Sequence, residues 1–294
     1  MSRTSVVSDD QWSRIEPFLP SSDGRRGRPF RGHRQVVEGI TYRYRCGIAW
    51  RDLNAEFGPW QTVWKRHSRF ASDGTWDRIH GRLLAEADAA GQIDWTVSVD
   101  STVNRAHQHG TNLPRTTGGT PELQETVLRE PPDLAIGRSR GGLSTKIHHA
   151  CDGKGRPLAM ILGPGQGGDS PMFPVVTGAI RVPRLGGGRP RTRPDALMGD
   201  KAYSSRANRS LLRGRGIKAI IPEPSDQIGH RKRGGSCGGR PVGFDAETYK
   251  GRNSVERSFS LFKQWRAVAT GYDKLALTYR AGVVLYAAVI WLRQ

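Results

Sequence analysis

Apolar and polar positions repeat with two different periods along this chain, and the change falls near residue 90. Before it the spacing is helical. Ser8-Asp-Asp-Gln11 is a capping box, an acceptor followed three residues later by Gln, and opens a short helix ending at Pro17 or Pro20. A basic, glycine-rich linker occupies residues 23–30. Val36, Val37, Ile40, Tyr44 and Ile48 recur three to four residues apart and predict a second helix. The break Gly58-Pro59 precedes a helix from Trp60 to Phe70, and Gly74 separates that from a fourth around Trp76–Leu84. Two helices across a short glycine-containing turn, the second carrying Gln61, Thr62, Lys65, Arg66 and Arg69, suggest a helix-turn-helix-like unit with those five residues facing DNA. The plainer alternative is a helical bundle with a basic polar face. Tryptophans 50, 60, 64 and 76 are expected in the core.

From about residue 95 the period drops to two. Trp95–Asp100 alternates like a strand ending in an acid. Leu143–Ala150 and Arg156–Leu162 predict a hairpin, Ser170–Arg181 a helix, and Ala196–Asp200 a second strand ending in an acid. Ser205–Arg213 reads as helix and Lys218–Ile221 as strand, stopped by Pro222. This order predicts an α/β fold, a mixed sheet flanked by helices, behind an all-α segment. The expected division is a helical domain over 1–90 and a sheet domain over 95–294. Residues 107–132, 181–194 and 228–243 read as solvated loops. Ala281–Leu292 is apolar but too short to span a membrane, and is expected as a buried helix.

Charge sharpens the picture. There are 46 Lys and Arg against 27 Asp and Glu, a net charge of +19, which points to a polyanionic partner, most often nucleic acid. The three cysteines, Cys46, Cys151 and Cys237, are too few and too scattered for a disulfide framework. With no apolar leader in Met1–Asp10, a cytoplasmic protein is expected.

The chemistry concentrates in acids. Tyr249, Arg252, Glu256 and Lys263 are offset by three, four and seven residues, so a helix would carry them on one stripe, a carboxylate between cations. Asp100 and Asp200 end predicted strands. Three carboxylates converging from separate elements could hold two divalent cations, and oxygen donors favour Mg²⁺ or Mn²⁺ over zinc. An ordinary helix with an Arg252–Glu256 ion pair would look similar from Glu256 alone. Asp94, Asp133, Asp152, Asp169, Asp195 and Asp245 are competing acids. His148-His149-Ala-Cys151 lacks a second half at zinc spacing.

These motifs together resemble the DDE transposases of bacterial insertion sequences, of the insertion-sequence-5 type. The resemblance rests on Tyr249-x2-Arg252-x3-Glu256-x6-Lys263, on Val99-Asp100-Ser101-Thr102, and on Gly199-Asp200-Lys201-Ala202-Tyr203. It extends to Trp50–Val63, to Gly137–Lys146 including Arg140, and to Gly165-Gln166…Asp169-Ser170-Pro171. It implies an RNase H-like catalytic domain with Asp100, Asp200 and Glu256 as metal ligands. It also implies that Arg252 and Lys263 contact phosphates of the transposon end, supported by Tyr249. Lys146, Arg140 and Lys201 are further expected DNA contacts. The expected activity is cleavage at the terminal inverted repeats of an insertion sequence and joining of the 3′-OH to target DNA. The assembly is expected to be a homodimer or larger. A nuclease without joining and a non-catalytic DNA-binding regulator remain the alternatives.

Overall fold

The computed structural model describes residues 7–21, 30, 32–115 and 129–293. Most of the basic linker and residues 116–128 of the first expected loop lie outside them.

The N-terminal part is helical: α1 (Asp9–Ile15), α2 (His33–Cys46), α3 (Trp60–Ser72) and α4 (Thr75–Ala89). Ser8 caps α1, and both arms of the capping box are made, Ser8 Oγ accepting from the Gln11 amide and Gln11 Oε1 from the Ser8 amide. Gly47 ends α2 in the left-handed conformation, at φ 70°. Between α2 and α3 the chain makes two 3-10 turns, Trp50–Asp52 and Ala55–Phe57, before Gly58-Pro59 starts α3.

The sheet part follows as β1 (Thr96–Ala106), β2 (Gly137–Ser139), β3 (Gly142–Cys151), β4 (Pro157–Pro164), α5 (Asp169–Gly178), β5 (Ala196–Met198), α6 (Arg206–Gly214) and β6 (Lys218–Ile220). Then come α7 (Ser225–Arg233), α8 (Ala246–Tyr249), α9 (Asn253–Lys263), α10 (Arg266–Ala269), β7 (Thr270–Gly271) and α11 (Ala276–Leu292). The principal strands lie in the order β4-β3-β1-β5-β6; β3 is antiparallel to both its neighbours, β4 and β1, and β5 and β6 run parallel to β1. An antiparallel three-strand meander extended by two parallel strands is the RNase H-like arrangement. The tight β3–β4 connection depends on Asp152, whose carboxylate accepts from the amides of Lys154 and Arg156 and from the Arg156 guanidinium.

Three expectations change. Polar Ser98 alternates with Val97 and Val99 in the sequence, yet all three are buried, because helices cover both faces of the central strand. The strand does not stop at the acid: β1 runs six residues further, paired with β3 as far as Arg105↔Ser144. Residues 228–233 of the expected loop 228–243 are helical, as the end of α7. Pro224 precedes the first turn, Asp226 lies within it, and the last turn carries His230, Arg231, Lys232 and Arg233, all matching the helix dipole.

The two halves share a core. α11 leaves the sheet part and packs against α3, α4 and β4. Gly282 makes this possible, since a Cβ there would lie 2.1 Å from the Tyr44 ring. The Tyr44 hydroxyl donates to Asp273 Oδ2 at 2.8 Å and lies 3.0 Å from His67 Nε2. Trp76 Nε1 donates to His67 Nδ1, and the Arg43 guanidinium pairs with Asp273 while stacking over Tyr44 and Trp50. Of the four tryptophans, Trp76 is fully buried, Trp50 and Trp60 pack partly buried on the core, and Trp64 is exposed. Among the described residues, no helix is long and apolar enough to cross a membrane.

Candidate active site

Strand register explains how two acids a hundred residues apart can meet. β5 pairs with β1 in parallel over Thr96↔Ala196, Val97↔Leu197 and Ser98↔Met198. Two residues beyond the last pair come Asp100, still on β1, and Asp200, which lies just past the end of β5 rather than on it as the sequence suggested. Equal steps along neighbouring parallel strands bring both carboxylates to one level. Past Ser98, β1 has no parallel neighbour until β7 joins at Arg105, so the two acids border a gap in the sheet. Asp200 also caps a 3-10 turn, accepting from the Ala202 amide at 2.9 Å.

The third acid arrives on α9, which packs on β1 and β3 through Val255, Phe259 and Phe262. His149, the cross-strand partner of Asp100, turns to this side and meets Ser258 at 3.0 Å. Glu256 stands in the first turn of α9, with its side chain 60% exposed. The four-residue stripe is not one regular helix, however. Tyr249 ends α8, a 3-10 turn spans Lys250–Arg252, and α9 begins at Asn253. The i,i+4 contact survives the break: Arg252 Nη1 lies 3.0 Å from Glu256 Oε1.

Arg252 also reaches Asp100, Nη2 to Oδ2 at 2.5 Å, and so bridges two of the three acids. Burial pushes the Asp100 carboxyl above its usual range. The Ser101 amide and Arg252 oppose the shift, and Asp200 and Asp169 add to it. Tyr249 rises too, mainly by burial, with Asp200, Asp100 and Glu256 contributing. Asp100, Asp200, Glu256, Arg252 and Tyr249 thus act on one another electrostatically. Among the described residues no three Asp, Glu, His or Cys side chains stand close enough to hold a metal ion, and Arg252 supplies the positive charge between Asp100 and Glu256. Oxygen-only donors fit Mg²⁺ or Mn²⁺ in chemistry.

The expected DNA contacts divide. Arg140, at the β2–β3 turn, Lys201 and Lys263 are exposed, and among the described residues no carboxylate pairs with them. On α3, Gln61 and Lys65 are exposed and Thr62 and Arg69 half-buried. Two expectations are corrected. Lys146 is buried, its ammonium donating to the Gly167 carbonyl at 2.7 Å and to Asp169 Oδ1 at 3.1 Å. Arg66 is buried as well, stacked 3.7 Å from the Phe30 ring centre and 3.2 Å from His33 Nδ1. Both long side chains turn inward because an interior partner receives the charge. Tyr249 sits against Ala196, Met198 and Ile220 and edge-on to Phe244, so it docks α8 on the end of the sheet. Sequence reasoning set Asp169 aside as a competing acid; its place in the motif Gly165-Gln166…Asp169-Ser170-Pro171, beside a helix start, was the signal that could have promoted it.

Two family models match the chain. Residues 7–80 match a family model described as "Putative transposase of IS4/5 family", and residues 91–291 match one described as "Transposase DDE domain". The chain belongs to the DDE transposase family. A 16.2 kDa uncharacterized protein of insertion element IS402 from Burkholderia cepacia is 39% identical over 118 residues, 38% of this chain and 80% of that protein. Uncharacterized protein y4sN of Sinorhizobium fredii (strain NBRC 101917 / NGR234) is 37% identical over 114 residues, 38% of this chain and 86% of that one. Among solved structures, a Mos1 transposase paired-end complex with the left transposon end shares 12% identity, covers 81% of this chain and 80% of its own, and has a TM-score of 0.26. A pre-cleavage Mos1 transpososome gives 11%, 92%, 80% and 0.23. Neither structural likeness is close. A DDE transposase domain implies the use of divalent metal in general.

Proposed function

We propose that this transposase cleaves at the terminal inverted repeats of its insertion sequence and joins the freed ends to target DNA, with Asp100, Asp200 and Glu256 holding Mg²⁺ or Mn²⁺, two ions per site. The observation that carries the reading is the register: Asp100 and Asp200 each lie two residues past the Ser98↔Met198 pair, and Arg252 joins Asp100 to Glu256. Divalent metal held there supplies Lewis-acid polarisation of the phosphodiester and its leaving oxygen.

The chain's own residues do the rest. Arg252 gives up Asp100 and Glu256 and takes a phosphate of the element end, to which its planar fork is suited. Lys263, Lys201 and Arg140 bind further phosphates, and Tyr249 keeps α8 docked. In the cleavage step water attacks phosphorus and the bond to the 3′ oxygen breaks, leaving a 3′-OH on the element and a 5′-phosphate on the flank. In joining, that 3′-OH attacks a target phosphodiester, and the target's own 3′ oxygen leaves. No covalent protein–DNA link is required. The exposed residues of α3 contact the repeats, in an assembly of two or more subunits that holds both ends.

Glu256→Gln is the test. It is expected to bind end DNA as well as the wild type and to lose cleavage by at least about 10²–10³-fold, the scale of removing one group that stabilises transition-state charge. Normal cleavage by this variant in Mg²⁺ would falsify the ligand assignment. Pre-cut ends supplied to the wild type are expected to be joined to target DNA; their recovery unjoined would reduce the activity to that of a nuclease.

A further inference from the structure

Two motifs carried by the family resemblance find no use in the site as described: the one ending in Lys146 and the one containing Asp169. They meet each other directly behind Asp100. Asp169 is the first residue of α5, which packs on β1 and β3. Its Oδ1 accepts from Ser101 Oγ at 2.6 Å and from Lys146 Nζ at 3.1 Å. Lys146 is further tied to the Gly167 carbonyl, two residues before the helix.

Cross-strand register fixes the sides. Ser101 pairs with His148 and Val103 with Lys146, so these four side chains share one face of the sheet, which Asp169 of α5 meets at Ser101 and Lys146 while Val103 stays exposed. Asp100 pairs with His149 and faces α9 on the other side. Successive side chains of a strand point to opposite faces, so Asp100 and Ser101 leave one peptide in opposite directions. That peptide is closed by the Ser101 amide, which donates to Asp100 Oδ1 at 2.8 Å. Any rotation of β1 about its axis at this point swings the Asp100 carboxylate and pulls Ser101 off Asp169 together.

We propose that Asp169 is a positioning residue for the reaction: through Ser101 it braces the β1 backbone from behind and fixes the direction of the Asp100 carboxylate, with Lys146 holding Asp169 in place. The brace rests on the reading of Asp100 as a metal ligand. Its components are side-chain hydrogen bonds, so they can be removed one at a time without emptying the core.

The test measures Mn²⁺ binding to the intact protein by calorimetry, without DNA, beside thermal stability and end-DNA affinity. Asp169→Asn and Ser101→Ala are each expected to weaken Mn²⁺ binding by about tenfold, within the 10–100-fold range for groups that orient a ligand. Because they cut the same hydrogen bond, the double variant is expected to lose no more than about the larger single loss. Ser101→Thr, which keeps the hydroxyl, is expected to restore binding, and end-DNA affinity is expected to stay unchanged throughout. Wild-type Mn²⁺ binding by both single variants overturns the brace. So do additive losses, failure of Ser101→Thr to rescue, or end-DNA affinity that falls in step with the metal. Asp100→Asn is the control: if it binds Mn²⁺ as the wild type does, the ligand assignment fails; if it abolishes binding while the brace variants bind normally, only the brace fails.

Discussion

Two of the protein's arginine–aspartate pairs have opposite character. Arg43 and Asp273 lie 3.0 Å apart with side chains 2% and 4% exposed. Asp273 also accepts from Tyr44, and the guanidinium is sandwiched over two rings. Arg252 and Asp100 are 15% and 19% exposed, and the second acid on Arg252 is mostly in solvent. In the first pair every alternative partner is excluded by packing, so the charges are permanent neighbours joining the helical layer to the sheet. In the second, Glu256 lies mostly in solvent, and the proposed function has another cation replace the guanidinium. Ion pairing alone therefore says little about role. What separates a fastener from an exchangeable site is whether the partners can reach anything else.

Breaking the permanent pair is expected to have the largest effect. Asp273→Ala strands a buried guanidinium and should cost about 3–5 kcal/mol of stability, read by denaturant unfolding. A loss below about 1 kcal/mol would show that water reaches this pair too. Acid tests the same interior. Burial lowers the His67 and His80 pKa to about 4. Their folded values lie below the unfolded 6.5, so the unfolded chain binds more protons between these limits, and stability should fall as pH drops from 6.5 toward 4. His67→Gln and His80→Gln should each flatten that slope in unfolding curves taken across the window.

The exchangeable pair should respond in the other direction. Arg252→Ala removes the competitor for Asp100 and Glu256, and is expected to tighten Mn²⁺ binding about tenfold, or about 1.4 kcal/mol. It should weaken end-DNA binding in the same preparation and destabilise the fold less than Asp273→Ala. Weaker metal binding would mean that Arg252 shapes the site rather than competes within it. At the small end, Lys250 and Glu247 pair on the surface at 73% and 82% exposure, and Lys250→Ala should shift stability by no more than about 0.5 kcal/mol.

Elements with strong local signals were legible in the sequence: the capped α1, the periodic α2, the β3–β4 hairpin and the apolar α11. So were the three acids, because their motifs are local. What escaped was decided by partners distant in sequence. Lys146 and Arg66 look like free cations until Asp169 and Phe30 are brought to them. β1 looks finished at Asp100 until eight residues of β3 lie alongside. The break after Tyr249 follows from α8 docking on the sheet edge through Tyr249 itself, at the cost of a continuous helix. Residues 225–233 bury no side chain and so leave no hydrophobic period to read; only their charges mark the helix.

The packing of α11 against α3 and α4 has a consequence in time. Helices made early in synthesis cannot close their interior until a segment separated from them by the whole sheet, from residue 89 to residue 276, has been translated. Such distant contacts slow folding and leave apolar surface open meanwhile. A nascent chain therefore lacks the finished helical layer while most of it already exists. Premature termination before residue 276 would yield a polypeptide with uncovered apolar helices, expected to be removed by chaperones and proteases rather than left to occupy DNA.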